Sequence, residues 1–204
     1  MNDRVINSLK NLLKDAEDSG NSFYKDGVTQ ILKNAGKKGP KKALYAAAFL
    51  TETSRKDLYN WWSMHVKEQT LDRIPKHSHM TIQYERKGLS PEDVLSLPIG
   101  ETGTVKVIGY ASNEMGQAVQ VSVSSDSFRR KEGIAHVTIS AADDAPMGFA
   151  YSNQLLSEGV TEVKAGPELD VKIGLFLPNG EIKYDLSETF YQTSTVDDYI
   201  EVDV

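Results

Sequence analysis

Apolar positions recur at helical spacing at the start of the chain. Val5, Ile6, Leu9, Leu12 and Leu13 line one face of residues 5–18. The SGNS segment breaks that helix, and FYKDGVTQILKNAG predicts a second, shorter one ending at Gly36. KKGPKK then reads as a basic linker. From Lys42 the pattern changes. KALYAAAFLT is a continuous apolar run and predicts a buried strand. A helix is predicted over 53–69, with Thr53 or Ser54 as its cap. Leu58, Trp61, Trp62 and His65 fall on or near one face of it, His65 as a partly buried helix residue. SPEDVLSL (90–97) has Ser90 as cap and Pro91 in first position, the signs of a short helix. Strands are predicted over 102–110 and 117–124, then across GVTEVKAG and LDVKIGLFLPNGEIKYDLS, where Asn179-Gly180 marks a hairpin turn. The tail TSTVDDYIEVDV is acidic and is expected to cover an edge or stay loose.

Two further segments alternate with a period of two and carry the same tripeptide. His79-Met80-Thr81 lies in PKHSHMTIQY, and His136-Val137-Thr138 lies in EGIAHVTISA. Side chains alternate across a strand, so His and Thr of each copy point to one face. Met80, Ile82 and Tyr84, or Val137 and Ile139, point to the other. The chain has only four His, and two of them open this pattern. Two such strands facing one cleft would offer two imidazoles and two hydroxyls, a set suited to acid–base chemistry on a phosphodiester.

Composition narrows the setting. Apolar residues at 39% and charged residues at 25% describe a soluble globular protein. The chain has no run of eighteen apolar residues, so no membrane partner is expected. MNDRVINSLKNLLKD has charge and no apolar h-region, which does not read as a secretory signal. Cys is absent, which excludes disulfides, thiol catalysis and cysteine-bound zinc, and fits a cytoplasmic setting. The net charge of −6 argues against bulk nucleic-acid binding through counterion release. A small anionic substrate needs only a local patch: Arg129-Arg130-Lys131, Lys76, or Arg86-Lys87. The cluster of Lys33, Lys37, Lys38, Lys41 and Lys42 reads as a solvated hinge, with nucleic-acid contact as the alternative.

The pair of H-x-T strands resembles the 2H phosphoesterase superfamily. The order of strand, helix and motif strand across KALYAAAFLT, ETSRKDLYNWWSMHVKEQ and IPKHSHMTIQY is similar as well. AADDAPMGFAYSNQLL, with its Ser152-Asn153 pair, and the strand pair in IGETGTVKVIGYASNEMGQAVQVSV look like the cyclic phosphodiesterase domain of fungal tRNA ligases. The resemblance covers roughly Lys42 to Leu177. It implies an α+β, bilobal fold: two antiparallel sheets line a central cleft, with helices outside. The expected organisation is a helical extension over 1–40 and the phosphoesterase domain over 41–204. By resemblance, His79 and His136 take the acid and base roles and Thr81 and Thr138 bind the phosphate.

The implied reaction is metal-independent hydrolysis of a 2′,3′-cyclic phosphate, with no cofactor and no obligatory protein partner. The substrate is a nucleotide or an RNA end, and a 2′-phosphate is the first choice of product. The alternatives are hydrolysis of cyclic di- or oligonucleotide signals, as in phage proteins that destroy immune signals, and nucleotide binding without turnover. Lys76, Arg130, Phe149 and Tyr151 are the expected substrate contacts, the two aromatics by stacking on a base. Tyr45, Tyr84 and Tyr110 are further aromatics near the motifs. His77 is read as a substrate contact, a supporting residue or a surface residue. A zinc site built on His77 and His79 lacks further ligands in the sequence.

Overall fold

The computed structural model describes residues 43–186 apart from 129 and 131, together with residues 10, 11, 13, 14 and 18. The chain divides into two units, Ala43–Tyr184 and Met1–Lys42 with Asp185–Val204. Residues 10, 11, 13, 14 and 18 are helical. The second expected helix, the lysine cluster and the acidic tail lie outside the described residues.

In Ala43–Tyr184 the elements are β1 (Tyr45–Leu50), α1 (Glu52–Trp61), β2 (His79–Tyr84), α2 (Pro91–Leu95), β3 (Thr102–Ser112), β4 (Gly116–Val123), β5 (His136–Ala141), α3 (Tyr151–Glu158), β6 (Thr161–Glu162), β7 (Glu168–Phe176) and β8 (Ile182–Lys183). The fold is α+β. Its strands join in one antiparallel sheet of order β2-β1-β7-β3-β4-β5, with β6 on β3 and β8 on β7. Two separate sheets were expected. The β7–β3 pairing, Thr102 opposite Lys172 through Lys106 opposite Glu168, joins them into one.

The H-x-T strands β2 and β5 stand at the two ends of this path. The sheet curls until they approach each other within 8 Å between Cα atoms. The chain ahead of β2 completes the turn. Arg73 and Ala141 exchange backbone hydrogen bonds of 2.9 Å in each direction, and the Leu71 amide donates to Ser140 Oγ at 3.0 Å. The sheet is thus nearly closed, and two would-be open edges face each other.

The core lies on one face of the curl. Ala48, Met80, Ile82, Val137, Ile139, Val105, Val119 and Ile173 pack there against Leu58 and Trp61 of α1 and Trp62 just after it. Each fully buried side chain of this size contributes about 1.5–3 kcal/mol, so the apolar half of each motif strand anchors its polar half. The cap of α1 is Thr51, two to three residues ahead of the expected Thr53 or Ser54. Its side chain accepts from the Ser54 amide at 3.2 Å, while Ser54 Oγ accepts from the Asp170 amide at 2.7 Å and ties α1 to β7. The α-helix ends at Trp61, short of the expected 69. A π turn, Trp62–Val66, follows, and Lys67 at φ 62° leaves the helix.

Two local expectations hold in detail. The Asp93 amide donates to Ser90 Oγ at 3.1 Å, the Asp93 carboxylate accepts from the Ser90 amide at 3.1 Å, and α2 follows. Asp93 Oδ1 also accepts from Gln83 Nε2 at 2.7 Å, which ties α2 to β2. The Asn179-Gly180 turn joins β7 to β8, with Gly180 at φ 81°. Among the described residues no helix is long and apolar enough to cross a membrane.

Candidate active site

His79 and His136 are the first residues of β2 and β5. Met80 and Ile82, like Val137 and Ile139, are buried in the core. Strand alternation therefore turns both His and both Thr to the opposite face. Each imidazole is held by the same local bond. His79 Nδ1 donates to the His77 carbonyl at 2.8 Å, and His136 Nδ1 donates to the Ile134 carbonyl at 2.8 Å. A carbonyl only accepts, so the proton sits on Nδ1 and the Nε2 lone pair remains for chemistry in both copies.

The surroundings of the two rings differ. His79 is stacked on Tyr45 with centroids 5.1 Å apart and tilted against Phe49 at 5.4 Å. Burial lowers its pKa, its bond to the His77 carbonyl works the other way, and the charge of His77 adds to the lowering. His136 is buried, and Arg130 lies beside it. Arg130 Nη1 donates to the Ile134 carbonyl at 3.1 Å and stands 3.0 Å from His136 Nδ1. Burial above all, then Arg130 and His79, hold His136 down to about 4. His136 is therefore a neutral imidazole at pH 7, within the electrostatic reach of His79.

Thr81 is half-buried on β2, opposite Ala47 of β1. Thr138 Oγ1 donates to the buried Ser152 Oγ at 3.0 Å. The next residue, Asn153, accepts from Arg130 Nη2 at 2.9 Å through Oδ1. One end of α3 thus holds both the hydroxyl of the second motif and the cation beside its imidazole. Tyr151 seats that end on the sheet. Its ring lies over Gly116 of β4, where a Cβ would come within 2.8 Å of it.

The other expected substrate contacts fare differently. Tyr151 is buried in a cluster with Ala111, Ala118, Leu155 and Leu156, and Asn113 Nδ2 donates to its hydroxyl at 2.9 Å. It begins a helix instead of sitting in a loop, and its ring has no free face for a base. Phe149 packs on Ala141, Ala142 and Ala145, and the Arg73 guanidinium covers its ring at 4.9 Å. Both terminal nitrogens of Arg130 are engaged within the protein. Lys76 is exposed in the loop ahead of β2, and its charge, after burial, lowers the pKa of His77. His77 precedes β2, gives its carbonyl to His79 and meets Phe176 edge-on at 6.4 Å. His65 is exposed, not partly buried; it stacks on Trp61 at 5.5 Å with Nδ1 bonded to the Trp61 carbonyl. Arg129 and Lys131 lie outside the described residues. Among the described residues no three His, Asp or Glu side chains converge as a metal site.

Sequence reasoning did not assign the roles of Ser152 and Asn153, although the pair itself stood out. It also missed Phe49 beside His79, because Phe49 reads as one more apolar residue of a buried strand.

No protein-family model matches the chain, and no curated protein matches it. Among solved structures the chain is similar to one described as "Crystal Structure of Fungal RNA Kinase", at 13% sequence identity and a TM-score of 0.46. The match covers 65% of this chain and 46% of that one, so the chain spans less than half the length of that protein.

Proposed function

We propose that the chain is a two-histidine phosphodiesterase of the 2H type that opens a 2′,3′-cyclic phosphate, on an RNA end or a nucleotide, to a 2′-phosphate. One observation carries the reading. Each H-x-T strand opens on a histidine held by the same Nδ1 bond of 2.8 Å to the carbonyl two residues back, which leaves Nε2 of both rings for chemistry. In this reading the β2-β1-β7 half and the β3-β4-β5 half act as two lobes, each contributing one motif.

The reaction balances with these groups alone. A neutral imidazole takes a proton from water, whose oxygen bonds to phosphorus. The P–O3′ bond breaks in line, and the second imidazole, protonated, gives its proton to the departing 3′ oxygen. Both imidazoles are neutral-leaning in the empty site, and an anionic phosphodiester placed between them favours protonation of one. The hydroxyls of Thr81 and Thr138 face the non-bridging oxygens, where charge gathers in the transition state. Ser152 supports the second hydroxyl and can donate to Thr138 Oγ1 as Thr138 turns its own proton to the phosphate.

The test is incubation in EDTA with 2′,3′-cyclic nucleotides, an oligoribonucleotide ending in a 2′,3′-cyclic phosphate, and cyclic dinucleotides. Products are separated by chromatography. The reading predicts a 2′-phosphate product from the first two. Consumption of the cyclic dinucleotide alone would move the protein to signal hydrolysis. No turnover of any substrate would reject the reading.

A further inference from the structure

We propose that Arg130, held in place by Asn153, is a positioning residue that fixes His136 as the neutral, proton-accepting imidazole of the pair. The inference rests on the two-histidine reading above. The geometry starts with a shared acceptor. The Ile134 carbonyl receives both His136 Nδ1–H, at 2.8 Å, and Arg130 Nη1–H, at 3.1 Å. This packs the guanidinium against the ring edge, 3.0 Å from Nδ1. A second proton on His136 would create an imidazolium beside a fixed guanidinium, and like charges at this range disfavour each other strongly.

Asn153 makes the arrangement specific. Its Oδ1 accepts from Arg130 Nη2 at 2.9 Å, and its own Nδ2 donates to the Ala150 carbonyl at 3.0 Å. The amide orientation is thereby set from both ends, and the guanidinium is aimed at the histidine instead of at solvent. With one N–H of each terminal nitrogen held by Ile134 and Asn153, the guanidinium is fixed beside His136, and its effect is argued through that ring.

The groups that bear on His136 among the described residues are few. The loop before β5 brings Arg130, with Glu132 acting on Arg130 in turn. β2 brings His79. β4 brings the uncharged Gln120, which is paired with His136 in register, and α3 brings the uncharged Asn153. Among the described residues no arginine acts on His79; its ring meets Tyr45 and Phe49, and His77 is the charge that bears on it. The asymmetry assigns the proton-donating role to His79.

The experiment is a histidine titration by NMR on the protein without substrate, for wild type, Arg130→Gln, Arg130→Lys and Asn153→Ala. Removing the charge in Arg130→Gln should raise the His136 midpoint by about one pH unit or more, with a much smaller change at His79. Arg130→Lys keeps a cation and should stay near wild type. Asn153→Ala should fall between, because the guanidinium is no longer aimed. If Arg130→Gln does not fold, Asn153→Ala against Arg130→Lys makes the same comparison. A His136 midpoint that is the same in all folded variants overturns the proposal. No substrate enters this measurement, so its outcome is separate from that of the activity test. If turnover is present, the acid limb of the kcat profile in Arg130→Gln should move up in step with the NMR midpoint. A limb that stays put while the midpoint moves would deny His136 the accepting role.

Discussion

The Tyr59 hydroxyl of α1 donates to the Ile139 carbonyl of β5 at 2.9 Å, from the face of the sheet opposite the histidines. Tyr59 also lies beside Ser78, the residue just before β2. One side chain on the helix after β1 thus reaches both ends of the curled sheet. Burial raises the pKa of Tyr59, so its hydroxyl keeps the proton it donates at any physiological pH. Tyr59 thus bridges the two H-x-T strands from the core side.

Tyr59→Phe tests that relationship. The ring and its packing remain, and one hydrogen bond to a buried carbonyl is lost. The expected cost is about 1 kcal/mol of stability, read by denaturant unfolding. Turnover should fall several-fold with KM nearly unchanged, because the two imidazoles are held less firmly in relation to each other. Wild-type turnover at reduced stability would confine Tyr59 to packing.

The hydroxyls give a second test. Thr→Val at position 81 or 138 keeps the β-branched shape and removes the donor, while Thr→Ser does the reverse. If the hydroxyls serve the phosphate, Val should cost on the order of 3 kcal/mol of transition-state stabilisation and Ser little. If the threonines are only strand formers, Val is harmless and Ser slightly destabilising. Ser152→Ala should lower kcat through Thr138 and leave the effect of Thr81→Val unchanged. A Ser152→Ala variant with full activity would remove Ser152 from the account.

Acid should weaken the fold in a defined window. The folded pKa of His136, about 4, lies below the 6.5 of a free imidazole. Between these values the unfolded chain binds a proton that the folded one does not. Stability is therefore fully present above pH 6.5 and falls as the pH drops towards 4. The loss from this residue alone is about 3 kcal/mol at the bottom of the window. Urea unfolding of wild type and His136→Asn across pH 4–7.5 reads it out. The variant should show a shallower pH dependence over that interval. Equal slopes for the two proteins would contradict the placing of His136 in a desolvated, cation-flanked site.

The parts of this fold that were readable in the sequence are those set by local chemistry. The period of two around His79 and His136 set which side chains enter the core as far as Ile82 and Ile139, whereas beyond Ile82 Gln83 is buried and Tyr84, expected on the apolar face, is exposed. Asn179-Gly180 and Ser90 marked a turn and a cap through their own backbone and side-chain preferences. The rest depends on contacts between distant segments. The β7–β3 pairing that joins two sheets into one brings Thr102 beside Lys172, and nothing near either residue signals it. Tyr151 was expected as a loop aromatic because α3 opens without a side-chain cap, after a turn through Met147 at φ 65°. The anchoring of Arg130 crosses 23 positions to Asn153, so the charge looked like a surface patch.

The account turns on the two imidazoles acting as one unit. The most direct measurement is turnover of a 2′,3′-cyclic nucleotide in EDTA by wild type, His79→Ala, His136→Ala and the double variant, each first shown to be folded by circular dichroism. Each single variant should lose at least about 100-fold in kcat with a much smaller change in substrate affinity. The double variant should be little worse than either single one, because removing one half of a proton-transfer pair already stops the transfer. Full activity in either folded single variant would contradict the two-histidine account.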